Sequence, residues 1–182
     1  DTAEKQVPLS YHAAWGAHKT EETMAVLKEY NVGATFFLVG FWVDKYPEMV
    51  KAIDEKGFEI GTHSNTHPDM ATISAENIAK ELDISIEKIK AITNKEVALF
   101  RPPYGSYNNG LINACSSRGL IPIQWDVDSL DWKGLSAVDV TTRVMDRVQN
   151  GSIILMHNNA DNVVESTRMV LERLIKEGYK VT

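Results

Sequence analysis

The segments Ala34-Thr-Phe-Phe-Leu-Val-Gly40, Pro47-Glu-Met-Val-Lys-Ala-Ile-Asp-Glu-Lys-Gly57 and Phe58-Glu-Ile-Gly-Thr62 succeed one another, and their reading decides the fold class. The first is an apolar run rich in β-branched and aromatic residues, which signals a strand. The second opens with proline at a first helical position, presents Val50 and Ile53 on one face and stops at Gly57, which signals a helix. The third is a strand again. Outward from this unit the same order recurs. Val7 to Tyr11 leads to Thr20, a candidate cap for a helix with Glu21 and Glu22 in its first turn and Met24, Leu27 and Tyr30 on one face, closed by Asn31 and Gly33. From about Ser74 a long helix carries Ile78, Leu82, Ile86, Ile89 and Ile92 at helical spacing and ends at Asn94. Val97 to Phe100, Ile121 to Trp125 and Ser152 to Met156 are each followed by helical patterns, near Asn108 to Arg118, Ser136 to Gln149 and Val163 to Glu177. A last short run spans Tyr179 to Thr182.

Strands alternating with helices predict an α/β fold with a mainly parallel sheet, because parallel neighbours need crossover connections. About seven strands in 182 residues favour a compact, incompletely closed barrel over a full eightfold one, which takes roughly 250 residues. An open doubly wound sheet is the structural alternative. No repeat, low-complexity tract or linker divides the chain, so residues 1–182 are expected to form a single domain.

Hydrophobic residues make up 43% of the chain and charged ones 24%, the balance of a globular domain that buries a sizeable core. The formal charge of −6, without any run of basic residues, argues against nucleic acid as a partner and against an anionic membrane surface. The longest apolar stretches fall far short of the ~20 residues of a membrane span. A single cysteine, Cys115, excludes a disulfide framework and a cysteine-rich zinc site and reads as a buried small side chain. The polar opening Asp1-Thr2-Ala3-Glu4-Lys5 suits a mature chain whose export signal has been removed, and so an extracellular or cell-envelope location. A monomer is expected.

All five histidines, His12, His18, His63, His67 and His157, fall just after a strand or in the loop that follows it. The carboxyl ends of the strands carry the active site in parallel α/β folds, so the five mark one functional rim, although any one alone is more often a satisfied core or surface residue. His63-Ser-Asn-Thr-His67 sets two imidazoles four residues apart, a spacing at which one turn can aim both at one cation. A polar turn ended by Pro68 would also explain it. Arg101-Pro-Pro-Tyr104-Gly105 leaves the fourth strand with a fixed cation beside a stiff turn whose backbone amides could face an oxyanion. Asp126, Asp128 and Asp131 crowd the exit of the fifth strand, either as a solvated turn or as an acid orienting His157. His18 is a second candidate ligand or a solvated loop residue beside Lys19. Trp15 and Trp42 could line a sugar groove or pack over the rim.

At these residues the chain resembles the polysaccharide deacetylases of the NodB-homology group, carbohydrate esterase family 4. His63-Ser-Asn-Thr-His67 resembles the family's H-S/T-x-x-H segment, Arg101-Pro-Pro-Tyr-Gly105 its R-x-P-Y-G segment, Asp128-Ser-Leu-Asp-Trp132 its D-x-x-D-W segment and Leu155-Met-His157 its L-x-H segment, in the family's order across nearly the whole chain. The resemblance implies a distorted parallel barrel and hydrolysis of N-acetyl groups on peptidoglycan or chitin-like amino-sugar glycans by a divalent metal, usually zinc, sometimes cobalt or nickel. It implies that His63 and His67 hold the metal, which polarises the acetyl carbonyl and acidifies a bound water. By the same resemblance the Tyr104 amide stabilises the oxyanion and His157 protonates the leaving amine, with Asp131 orienting it. Trp132 and Leu155 then wall the acetyl pocket.

The first motif departs from the family. Where members usually carry T-F-D-D, with a base and a third metal ligand, this chain has Ser10-Tyr-His-Ala13, followed by Ala14-Trp15-Gly16. A subgroup that includes sporulation-associated deacetylases resembles it with F-D-A-A-W-G, which matches Ala13 but not His12. Three readings follow. His12 serves as the base, since an unperturbed imidazole titrates near ~6.5. It becomes the third ligand of a three-histidine site with His63 and His67, suited to an esterase-like metallohydrolase. Or the change silences the enzyme and leaves a glycan-binding module.

Overall fold

In the computed structural model, which describes residues 4–182, Pro8 breaks the first predicted strand in two, β1 (Lys5–Val7) and β2 (Leu9–Ala13). Proline has no N–H for a ladder. The elements that follow are α1 (Thr20–Glu29), β3 (Thr35–Leu38), α2 (Gly40–Lys45), α3 (Pro47–Glu55), β4 (Glu59–Thr62), α4 (Ala75–Thr93), β5 (Leu99–Phe100), α5 (Asn109–Ser116), β6 (Ile121–Pro122), β7 (Val127–Asp128), α6 (Ala137–Arg147), β8 (Ile154–His157), α7 (Val163–Lys176) and β9 (Tyr179–Val181). Strands alternate with helices as the sequence predicts. Seven of them form one sheet in the order β6-β5-β4-β3-β2-β8-β7. Two corrections enter here. The last predicted strand, β9, pairs with β1 in a separate two-stranded sheet, and the seventh member of the main sheet is β7, within a segment read as an acidic turn. Of the opening pentapeptide, residues 1–3 lie outside the described residues.

The chain divides into two compact units, Asp1–Thr35 with Trp125–Thr182, and Phe36–Gln124. In the first, β2 and β8 run parallel with Leu9 opposite Ile154 and His12 opposite His157, and β7 pairs on the far side of β8. Helix α7 packs on α6 and α1. The buried Tyr11 hydroxyl shares a 2.7 Å hydrogen bond with Thr167, and burial pushes the phenol well above its ordinary pKa. Thr20 is not a cap but the first residue of α1. Its hydroxyl accepts from Asn158 at 3.1 Å, which ties the start of α1 to the loop after β8.

In the second unit α4 packs against α2, α3 and α5. Ser74 caps α4 by accepting from the Asn77 N–H, Asn94 ends it in the left-handed conformation, and Ile78, Leu82 and Ile89 are buried along one face. Helix α2 is not anticipated by the sequence reading: six residues are too few for a periodic pattern to show. It buries Trp42, 1% exposed, against Tyr46, which removes Trp42 as a sugar-groove residue. Among the described residues no helix is long and apolar enough to cross a membrane.

Candidate active site

In the second unit the loop after β4 carries two histidines. His63 is fully buried; its backbone N–H donates to Leu38 O at 2.9 Å and its Nδ1 lies 2.7 Å from Arg101 O. A carbonyl oxygen only accepts, so Nδ1 carries the hydrogen and the lone pair of the neutral ring sits on Nε2. This is the tautomer by which a backbone carbonyl prepares a metal-ligating histidine. The His67 ring stands 4.9 Å from the His63 ring, at 73° between planes. Imidazole nitrogens suit zinc, cobalt and nickel, so the pair fits such a cation as two of its ligands. Among the described residues no group of three or more His, Cys, Asp or Glu side chains forms a ready metal cage.

The turn between the two histidines is held from several sides. Ser64 and His67 both have positive φ, 72° and 65°, a region that residues with a Cβ rarely enter. The first N–H groups of α2, which have no partner within the helix, donate to this turn, Gly40 N to Ser64 O at 2.9 Å and Phe41 N to Asn65 O at 3.1 Å. From α4, Glu81 accepts from the N–H of Asn65 at 2.7 Å and of Thr66 at 2.8 Å and from the Thr66 hydroxyl. The sequence reading missed Glu81, and no local signal marks it, since it is one acidic residue among several in α4.

Gly40 approaches the turn so closely that a Cβ there would fall 2.0 Å from Asn65 Oδ1 and 2.9 Å from its Cα. The side-chain atom could step aside; the backbone atom could not. Gly40→Ala is therefore expected to destabilise the protein by about 1–3 kcal/mol, measured as a lowered thermal midpoint, and an unchanged midpoint would show the turn to be less fixed than described.

Arg101, at the end of β5, is fully buried. Its Nε donates to Ile123 O at 3.2 Å and its Nη2 to Gln124 O at 3.0 Å, over the Phe37 ring at 4.4 Å. Burial pushes its pKa down to about 9. Its backbone carbonyl orients His63 while its guanidinium ties down the chain after β6. Tyr104, two prolines on, takes a left-handed conformation with φ of 62°, and its ring lies 4.9 Å from that of His67.

In the first unit the candidate acid-base residues gather at the ends of β2, β7 and β8. Asp131, 2% exposed, accepts from the His157 backbone N–H with Oδ2 and pairs with His157 Nδ1 through Oδ1, both at 2.9 Å. Of the three aspartates it is the one that meets His157. Asp126 accepts instead from the Ile153 N–H at 2.6 Å and Asp128 from the Leu130 N–H at 2.9 Å, the second being an Asx-type turn. Leu130 pays for that tight path with a φ of 54°. His12 is 7% exposed and its ring meets the edges of His157 and Trp125, at 5.1 Å and 5.5 Å between centroids. Leu155 is buried in β8, whereas Trp132 and Trp15 are exposed, Trp132 beneath the Lys133 ammonium at 5.3 Å. His18 lines a surface cleft with Lys19, Glu22, Asp161 and Glu165.

Residues 1–123 match the family model described as polysaccharide deacetylase. The chain is 33% identical to the uncharacterized protein YlxY of Bacillus subtilis, over 95% of this chain and 54% of that protein. It is 29% identical to the peptidoglycan-N-acetylglucosamine deacetylase of Bacillus cereus, over 94% and 62%. Among solved structures it is similar to BA3943 of Bacillus anthracis, described as a CE4 family pseudoenzyme, at a TM-score of 0.95 and 35% identity, over 98% of this chain and 63% of that one. A BA3943 mutant described as having restored enzymatic activity matches equally well. The chain spans roughly half to two thirds of these relatives. The motifs, the parallel α/β topology and these matches agree: the chain belongs to the polysaccharide deacetylase family.

Proposed function

We propose that this chain recognises an N-acetylated amino-sugar glycan of the peptidoglycan type on a metal-dependent deacetylase scaffold, and that its hydrolytic step is impaired at His12. One observation carries the reading: the base position holds an imidazole, 7% exposed and edged by the rings of His157 and Trp125. A general base must reach a water proton at about 2.6–3.2 Å, and a ring enclosed in this way has little reach. Ala13, fully buried, leaves the adjacent position without a ligating group. The description of the Bacillus anthracis relative as a pseudoenzyme, and of its mutant as restored, supports the same reading. The name of the Bacillus cereus relative supports a peptidoglycan substrate, and with it work outside the cell membrane.

His63 and His67 would hold the metal, with zinc the best match to two imidazoles. A divalent cation bound there would supply Lewis-acid polarisation of the acetyl carbonyl and a more acidic water. The chain's own residues do the rest. The Tyr104 N–H, set by the stiff Pro102-Pro103 turn, donates to the developing oxyanion. Asp131 fixes His157 with Nδ1 as donor, so that Nε2 is the atom that handles the leaving amine's proton. Trp132 and Leu155 flank the acetyl methyl, Arg101 braces the metal-side loops, and residues 1–182 act as one domain.

The test is to titrate zinc into metal-free protein with N-acetylglucosamine oligomers and peptidoglycan fragments, reading binding and acetate release separately. The expected result is binding with acetate release at least about a hundredfold below that of the His12→Asp variant. Release equal to that variant's would overturn the reading in favour of a working deacetylase with an imidazole base.

A further inference from the structure

We infer that Glu81 is a positioning residue for the His63–His67 pair, holding His67 in its liganding arrangement before any cation arrives. The inference rests on the metal-holding role proposed for those two histidines. Both carboxylate oxygens of Glu81 are spent on the segment between them: Oε2 accepts from the N–H groups of Asn65 and Thr66 at 2.7 and 2.8 Å, and Oε1 from the Thr66 hydroxyl at 2.5 Å. Two turns further along the same face of α4, Lys88 Nζ donates to Asn65 Oδ1 at 2.8 Å and to Asp44 at 2.6 Å. A single helix thus grips the turn through an anion that collects its donors and a cation that collects its side-chain acceptor.

The turn needs this grip. Ser64 and His67 have left-handed φ values, and such conformations persist where the surroundings over-determine them. His67 N donates to Ser64 Oγ at 3.0 Å, so the second histidine is set by the same turn that Glu81 fixes. A pair ordered in advance does not lose that conformational freedom on binding.

The experiment titrates zinc and cobalt into the metal-free chain and into Glu81→Gln, Glu81→Ala, Thr66→Val and His67→Ala, reading the dissociation constant, the visible spectrum of bound cobalt and the melting of the metal-free protein. Glu81→Gln keeps the shape and part of the hydrogen bonding. It is expected to weaken metal binding about tenfold or more, the size typical of groups that orient ligands, and to shift the cobalt spectrum, with metal-free melting close to that of the parent. Thr66→Val removes only the hydroxyl arm and should lose less. Parental affinity and spectrum in both Glu81→Gln and Thr66→Val would overturn the inference, whether or not Glu81→Ala folds. Metal uptake that is absent from the parent, or that survives His67→Ala, would overturn the metal reading itself and this inference with it, so the two failures are told apart.

Discussion

His12→Asp is expected to raise zinc-dependent acetate release from N-acetylglucosamine oligomers by about 10²-fold or more, the span over which a positioned general base acts. The substitution exchanges a ring for a smaller group with two acceptor oxygens. The His12 ring packs T-shaped against both Trp125 and His157, 5.5 Å and 5.1 Å between centroids; a carboxylate would vacate part of the space it takes and admit the water to be activated. The backbone should not move, because residue 12 sits in register with His157 in the β2–β8 ladder and Asn158 N donates to His12 O at 3.1 Å, contacts independent of the side chain. The Asp131–His157 pair, which the proposed function makes the acid side, is already formed. Ala13 is left as it is, so the gain is that of a base alone. A rate that stays level or falls at saturating zinc, in protein whose melting shows it folded, would show that the lesion lies elsewhere.

Much of this was legible in the sequence because it is local. A proline opening α3 and Asn94 closing α4 act within a few residues of where they stand, and each is found in its expected role; α4 also starts directly after Ser74, where the sequence begins it. The histidines follow strand ends: His12 and His157 stand at the ends of β2 and β8, and His63 and His67 in the loop after β4. What could not be read depends on contacts distant in sequence or on backbone that propensity hides. Asp126, Asp128 and Asp131 have one chemistry, and only the path of the turn decides that two of them accept nearby N–H groups while the third meets His157. Strand β7 is two residues long and acidic at its end, so its identity comes from pairing with β8 rather than from composition. Glu81 reaches Asn65 and Thr66 from 15 and 16 residues away, beyond any local pattern. Thr20 looked like a cap because threonine often is one; the partner that claims its hydroxyl, Asn158, is 138 residues distant.

In the His12→Asp background, Asp131→Asn is expected to lower kcat by about 10²–10⁴-fold and to leave KM within a few fold, because in the proposed function Asp131 orients His157 rather than touching the glycan. Asp131 presents two acceptors to two donors, the His157 backbone N–H and Nδ1–H. An asparagine has one acceptor and one amino group to offer the same pair. If its oxygen takes the fixed backbone N–H, its amino group faces Nδ1 and drives the ring into the other tautomer, with the hydrogen on Nε2. If its oxygen takes Nδ1–H instead, donor meets donor at the backbone, and a buried unsatisfied group costs about 1–3 kcal/mol. Both arrangements remove the negative charge that balances an imidazolium, and Asp131 is 2% exposed, so water does not replace that charge. The loss should therefore fall on the step in which His157 carries a proton and not on glycan binding, a split that steady-state kinetics with oligomers of one length resolves. A drop of less than about threefold in kcat would mean that His157 needs no orienting carboxylate. An equal loss in binding would mean that Asp131 supports the shape of the pocket more than the proton transfer.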